Sequence, residues 1–236
     1  MNDRIKKILS WAGIVLLFLA LSYAYMYPVL EGKIVNQSDI SGWTGMTHEI
    51  VEHNKANPDD PTLWTNSMFG GMPSVTMYDD FDGDLTNPLY RFLLLGRRPA
   101  TYIFIALLGS LFLLLAAGCG KAVAVAGAIA MAFCSYNMQI IQVGHNTKMQ
   151  AIAFFPWVLA ALIYTYRSAE KEGKLRDWLP YVSLGAVLFA FALSFQIKAN
   201  HPQITWYLAA TVFIYAAGEL IYLLCKKERR RGLGRF

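Results

Sequence analysis

The feature that most constrains this chain is a series of six apolar runs from which charged residues are nearly absent. The runs cover residues 8–27, 99–117, 122–142, 150–166, 178–197 and 203–225. A soluble domain does not need apolar runs of about 20 residues, the length that crosses the hydrocarbon core of a bilayer. The pattern therefore predicts an all-α fold, a polytopic transmembrane helical bundle, in a single module that covers residues 1–236.

The distribution of Lys and Arg predicts the orientation of this bundle. If the N-terminus is cytoplasmic, two thirds of the 21 Lys and Arg residues lie on the cytoplasmic side of the membrane. They include those of a basic tail at 226–236. Cytoplasmic segments of membrane proteins carry such an excess. The chain is therefore expected to be multi-pass with both termini cytoplasmic, and the tail is a topology anchor or a lipid head-group site. The net charge of +5 follows from this bias, so no nucleic-acid partner is predicted.

A long extracytoplasmic loop at 28–98 separates the first two spans and holds most of the 16 acidic residues. Its tryptophans argue against a disordered linker. The residue pattern predicts a short helix over Gly42–Ala56, turns at 57–61 and 69–73, and a helix over Leu89–Leu95 in the membrane interface, with Arg97 and Arg98 at head-group level.

Metal ligands are not assigned anywhere in the chain. The acidic run 79–84 is a poor calcium loop, because its Gly83 comes too early and Arg91 stands where the closing Glu belongs. It is interpreted as a solvated acidic turn or as the site of a loosely held divalent ion. His48 and His53 are five positions apart, which does not place two ligands on one helical face. The cofactor therefore stays unknown, and a divalent metal is allowed.

Asp39 lies in the outer loop soon after the first span. A carboxylate held near the membrane surface could act as a general base. The alternative is a helix N-cap, since Asp is preferred at that position and a helix is predicted nearby. Spacing alone leaves both interpretations open.

Two outer turns carry similar polar sets, each with a Lys, a His and an Asn. One contains His145, Asn146 and Lys148, and the other contains Lys198, Asn200, His201 and Gln203. Lys and His at an outer surface could bind a phosphate or pyrophosphate head group. Alternatively, the lysines extend to the interface while His and Asn cap helix ends. The amides at Asn137, Gln139, Gln142 and Gln196 lie behind the same face.

Several motifs together resemble a known family. They are the first span followed by a loop with a surface Asp, then 64–73 (WTNSMFGGMP), 144–151 (GHNTKMQA), 155–157 (FPW) and 200–207 (NHPQITWY). These segments resemble the N-terminal part of the YfhO-like bacterial membrane proteins. That family is related to the GT-C class of polyprenyl-phosphate-dependent glycosyltransferases. Because family members are usually longer, the chain is expected to be an N-terminal fragment of a longer protein.

The resemblance implies a membrane glycosyltransferase module in the bacterial inner (cytoplasmic) membrane, with its active site on the outer face. By position, Asp39 matches the catalytic acid of the first outer loop of GT-C enzymes. The candidates for binding the donor phosphate are His145, Lys148, Lys198 and His201, and the supporting polar residues are Asn146, Asn200 and Gln203. The implied partners are membrane lipids, a polyprenyl-phosphate sugar donor, and an envelope glycan or lipid acceptor. Two alternatives remain: a lipid or glycan transporter or flippase, and a non-catalytic membrane assembly subunit. A transporter needs ionisable residues near the middle of the membrane.

Overall fold

Helices dominate the computed structural model, which describes residues 2–75, 86–94, 99–169 and 174–225. The helices are α1 Asp3–Tyr25, α2 Ser38–Ala56, α3 Asn87–Leu94, α4 Ala100–Ala116, α5 Lys121–Ala132, α6 Ser135–Val143, α7 Asn146–Ala169, α8 Leu175–Lys198 and α9 Pro202–Cys225. A 3₁₀ turn covers Tyr27–Val29, and β1 (Trp64–Thr65) pairs antiparallel with β2 (Met72–Pro73). The all-α prediction is confirmed for the described residues.

Five segments are long and apolar enough to cross a membrane: Asp3–Tyr25, Lys121–Val143, Asn146–Ala169, Leu175–Lys198 and Pro202–Tyr222. The remaining predicted span forms the shorter apolar helix α4. These lengths suggest a multi-pass membrane protein. Large apolar side chains also face outward, such as Leu16 (65% exposed) and Phe213 (73% exposed). Apolar exposure along membrane-length helices suits contact with lipid rather than with water.

The core is built around α4, whose first eight residues are all buried. This helix packs against α1, α5 and α7, and α7 in turn packs along α8. Tyr102, Ile103, Leu107 and Phe154 are among the most deeply buried side chains of the core. The close approach of α7 and α8 depends on glycine. A Cβ at Gly185 would lie 2.2 Å from Thr165 Oγ1, so the two helices touch there almost backbone to backbone.

The third predicted span, 122–142, is interrupted between α5 and α6. Residues 133 and 134 leave the helix, and the Asn137 side chain folds back across the gap. Its Nδ2 donates to Met131 O and Ala132 O, each at 3.1 Å. Inside a membrane, carbonyls released by a helix break must find a donor within the protein. The amide that dilutes the apolar run is thus the group that stabilises the interruption.

The described part of the loop between α1 and α4 is organised around α2. Glu49 Oε2 accepts hydrogen bonds from Ser67 Oγ (2.7 Å), Asn66 N (3.1 Å) and Thr65 Oγ1 (3.2 Å). The bond from Ser67 contributes most to holding the Glu49 pKa below its usual value. This carboxylate ties the β1–β2 hairpin to α2. The predicted turn at 69–73 is confirmed in its first part, and Phe69 takes a left-handed φ of +52° there.

The two helices predicted in this loop are present with shifted ends. The predicted helix over Gly42–Ala56 begins earlier, at Ser38, and the predicted helix over Leu89–Leu95 is α3. Pro202 begins α9, a position where a missing N–H costs nothing. The acidic run 79–84, Arg97 and Arg98, and the basic tail 226–236 lie outside the described residues.

Candidate functional site

Asp39 occupies the first turn of α2 and is not its N-cap. The helix begins at Ser38, and the capping position belongs to Gln37, whose side chain caps no helical N–H. The interpretation of Asp39 as an N-cap is therefore wrong. A carboxylate in the first turn still interacts favourably with the helix dipole. Its side chain is available for contacts beyond its own helix.

The start of α2 docks on the turn between α6 and α7. Gln37 Nε2 donates to Ile141 O at 2.5 Å and to Asn146 Oδ1 at 3.1 Å, and Asn146 Nδ2 donates back to Gln37 Oε1 at 3.2 Å. Gly144 allows the approach, because a Cβ there would lie 3.0 Å from Gln37 Cβ and 3.3 Å from Asp39 Cβ. Its φ of +108° also favours glycine.

This docking brings Asp39 to His145. Asp39 Oδ2 lies 3.1 Å from His145 Nδ1, and the side chains are 43% and 49% exposed. A carboxylate bound to Nδ1 orients the imidazole and stabilises the tautomer that carries the Nδ1 proton. Because both side chains are half exposed, a ligand can reach the pair. A carboxylate and an imidazole in this arrangement can accept, hold or pass on one proton.

His201 lies beside this pair. Thr147 Oγ1 is 3.3 Å from His201 Nδ1. Partial burial lowers the pKa of His201 below its usual 6.5, and electrostatic interactions with Lys148 and then with His145 lower it further. Both groups are therefore within electrostatic range of His201. Its Nε2 is buried and has no hydrogen-bond partner among the described residues. The lowered pKa favours the neutral form of the His201 imidazole.

The two lysines take different aromatic partners. Lys148 Nζ lies 5.3 Å from the centre of the Tyr136 ring, and Lys198 Nζ lies 5.2 Å from the centre of the Tyr90 ring. The structure thus pairs His145 with Asp39, places His201 within electrostatic range of His145 and Lys148, and associates Lys198 with α3. Whether all four predicted phosphate ligands act on one head group stays a prediction.

Lys198 stands over a buried polar network that sequence reasoning missed. The Tyr90 hydroxyl hydrogen-bonds Gln150 Oε1, and Gln150 Nε2 donates to the Tyr102 hydroxyl at 2.9 Å. Tyr90 also stacks on Phe154 at 5.9 Å between ring centres. The network joins α3, α4 and α7. The sequence signal for this network is Gln150, which lies in the GHNTKMQA segment close to His145 and Lys148.

An apolar groove of about 700 Å³ begins next to Tyr90. Residues from α3, α4, α7 and α8 line it, among them Leu93, Phe112, Phe154, Trp157, Phe191 and Phe195. Phe154 and Phe195 both contact the Tyr90 ring, over which Lys198 Nζ lies. A cation therefore stands at one end of an apolar groove. This arrangement suits an anionic head group attached to a long hydrocarbon chain.

The three supporting polar residues have separate places. Asn146 holds Gln37 as described above. Asn200, at φ +52°, lines a cavity of about 410 Å³ together with His201 and Trp206. Gln203 Nε2 donates to the Tyr207 hydroxyl oxygen at 2.8 Å on the surface of α9. Of these three, Asn146 and Asn200 are thus joined to the cluster by contacts or by a shared cavity.

Within the described residues, no group of three or more His, Cys, Asp or Glu side chains is arranged to hold a metal ion. The acidic run 79–84, where the sequence allows a loosely held divalent ion, lies outside those residues.

Comparison with known proteins does not assign the chain to a family. No protein-family model, no curated protein and no solved structure matches it. The resemblance to the YfhO-like proteins and to the GT-C class stays a prediction based on the motifs.

Proposed function

We propose that this chain is a membrane glycosyltransferase module that takes a sugar from a polyprenyl-phosphate donor and transfers it to a cell-envelope acceptor. The observation that carries the proposal is the half-exposed Asp39–His145 pair at 3.1 Å, with His201 within electrostatic range of both His145 and Lys148. The apolar groove under Lys198 supports a lipid-linked donor. The proposed location is the outer face of a bacterial inner membrane, with both termini cytoplasmic.

In this proposal Asp39 is the general base. It accepts the proton of the acceptor hydroxyl, whose oxygen forms a bond to the anomeric carbon of the donor sugar. The bond between that carbon and the phosphate oxygen breaks, and polyprenyl phosphate leaves with the electron pair. His145 is a positioning residue, because it holds one oxygen of the Asp39 carboxylate.

Positive groups stabilise the leaving phosphate. Lys148 and Lys198 supply charge, and His201 lies within electrostatic range of Lys148. Such contacts matter most where charge develops in the transition state. The hydrocarbon chain of the donor lies in the apolar groove, which keeps the phosphate near Lys198.

A transporter is less well supported. That class needs ionisable side chains near the middle of the bilayer. Among the described spans, the acidic residues lie near helix ends: Asp3 and Asp177 in the first turns of α1 and α8, and Glu219 in the final two turns of α9. The other titratable candidates cluster at the ends of helices around Asp39 and Lys198.

The test is a transfer assay in proteoliposomes with radiolabelled undecaprenyl-phosphate sugars and extracted envelope glycans and lipids as acceptors. Asp39→Asn keeps the shape of the side chain and removes the base, so we expect a loss of about 100-fold or more. The matched control is Asp59→Asn, an exposed acid of the same loop, which should leave transfer unchanged. His145→Gln should reduce turnover less than Asp39→Asn does.

A second measurement tests donor binding separately. Lys198→Ala should weaken the binding of undecaprenyl phosphate in nanodiscs, while Lys55→Ala, an exposed lysine paired with Glu52, should not. If the wild-type protein transfers no sugar from any donor and binds undecaprenyl phosphate no better than a neutral polyprenol, the proposal is wrong. Full transfer activity in Asp39→Asn would remove Asp39 from the mechanism.

A further inference from the structure

A second polar cavity lies at the opposite end of the bundle from Asp39. Asn146 begins α7 beside Gln37, whereas Arg167 lies in the last turn of the same helix. At 1.5 Å per residue the two are about 30 Å apart, close to the thickness of a hydrocarbon core. The cavity has a volume of about 410 Å³ and is lined by Tyr166, Arg167, Tyr215, Glu219 and Tyr222. We call it the Arg167–Glu219 cavity.

One wall of this cavity presents a fixed guanidinium. Arg167 Nη2 donates to Ala117 O at 3.0 Å, which holds the side chain against the end of α4. Gly118, at φ +93°, leaves room for it, because a Cβ there would lie 3.1 Å from Arg167 Nη1. A guanidinium has five N–H donors in a planar fork that matches a phosphate. The bond to Ala117 uses only part of that capacity.

The other wall presents a carboxylate among aromatic rings. Glu219 lies close enough to interact with the Tyr215 hydroxyl and is within electrostatic range of Tyr166. The Tyr166 and Tyr215 rings meet edge to face at 5.7 Å between centres. Aromatic faces around a carboxylate suit an ammonium group, because the cation is attracted both to the rings and to the negative charge.

The two charges of the cavity are not paired with each other. Among the described residues, Arg167 and Glu219 form no ion pair with each other. One cavity thus offers a phosphate-binding group on α7 and an ammonium-binding group on α9. Its volume falls within the range of about 300–1,000 Å³ that is usual for small-ligand sites.

We propose that the Arg167–Glu219 cavity binds a phosphoethanolamine head group, with the phosphate on Arg167 and the primary ammonium on Glu219 and the tyrosine rings. The source is a membrane phospholipid, because the cavity opens at the end of membrane-length helices. Exposed apolar side chains of α9, such as Phe213 and Ile214, continue the surface along which acyl chains can lie. This site is independent of the glycosyl transfer proposed at the other end.

The test compares short-chain phosphatidylethanolamine, phosphatidylcholine and phosphatidylglycerol by calorimetric titration of the purified chain in detergent. We expect the ethanolamine lipid to bind about tenfold more tightly than the glycerol lipid, because its ammonium makes charge-assisted hydrogen bonds to Glu219. Phosphatidylcholine should be intermediate, since it keeps the cation–aromatic contact and loses the N–H donors. Soluble phosphoethanolamine should bind more weakly than the lipid.

Variants assign the preference to the cavity. Glu219→Gln keeps an acceptor for Tyr215 and should abolish the preference for ethanolamine over glycerol. Arg167→Gln should weaken the binding of all three lipids. The controls are Tyr207→Phe on the same helix α9 and Arg176→Gln, an exposed arginine near the start of α8, and both should bind as the wild type does.

Two results with the lipids would overturn the proposal. Equal affinity of the wild-type chain for the ethanolamine and glycerol lipids would exclude an ammonium site, and this measurement needs no variant. An unchanged preference in Glu219→Gln would place the ammonium elsewhere. In addition, soluble phosphoethanolamine that binds as tightly as the lipid would exclude a lipid as the source.

Discussion

Gln37 and Asn146 exchange hydrogen bonds in both directions across 109 residues of sequence, at 3.1 and 3.2 Å. Gln37 is 9% exposed, so its amide depends on these protein partners. The pair joins the start of α2 to the start of α7. It therefore determines where Asp39 and His145 stand relative to each other.

The first prediction concerns this amide pair. Gln37→Ala leaves the Asn146 amide without its partner, so the free energy of unfolding should fall by about 1–3 kcal/mol. Asn146→Ala should have a similar effect, and the double variant should cost less than the sum, with a coupling of about 0.5–3 kcal/mol. Denaturant titration in mixed micelles measures all three. Gln203→Ala, which removes a surface amide on α9, is the control, and strict additivity of the pair would contradict the argument.

The second prediction concerns pH. The pKa of His201 is below its usual 6.5 in the folded chain, because of burial first and then Lys148 and His145. As the pH falls through 6.5, the unfolded chain gains this proton before the folded chain does, so the folded state loses stability. Between pH 7.5 and 5.5 the unfolding free energy should therefore fall.

The matched variants isolate His201 from the other titrating groups. His201→Gln should make this pH dependence shallower, whereas His53→Gln, at an exposed position of α2, should leave it unchanged. Lys148→Met should also make it shallower, since it removes one of the charges that disfavour the imidazolium. An equal pH dependence of the unfolding free energy in His201→Gln and in the wild type would contradict the assignment.

The third prediction concerns helix packing. Gly185→Ala would place a Cβ 2.2 Å from Thr165 Oγ1 and 3.1 Å from Thr165 Cα, so α7 and α8 must separate. Overpacking of this kind typically costs about 1–3 kcal/mol. Gly218→Ala is the matched control, because nothing lies within 4 Å of its added Cβ. Thermal unfolding should show a lower midpoint for Gly185→Ala alone, and equal midpoints would show that the helices accommodate the methyl group.

The fourth prediction concerns orientation. In a background without Cys119, Cys134 and Cys225, single cysteines at Asp59 and Arg176 should lie on opposite sides of the membrane. Both positions are exposed, and the Arg176 side chain is 81% exposed. An impermeant maleimide should label position 59 and not position 176 in intact spheroplasts. The reverse pattern would invert the predicted topology.

Much of the secondary structure could be predicted because it depends on local physics. Apolar length predicts helices that satisfy their own backbone, and the structure has them at α1 and α7–α9. Pro202 marks the start of α9, and the glycines at 70 and 71 mark the turn before β2. The start of α2 is predicted less well, because Gln37 is bound to α6 and α7 instead of capping α2.

The residues of the candidate site can be found by type from the sequence, while their grouping cannot. Hydropathy determines that Asp39, His145, Lys148, Lys198 and His201 lie at helix ends, because charges avoid the hydrocarbon core. It carries no information about which helix ends are neighbours. The sequence by itself therefore determined the helices and the polar ends of this protein. Only the tertiary structure decided that Asp39 meets His145 and that Lys198 joins Tyr90, because each depends on contacts between segments far apart in the chain.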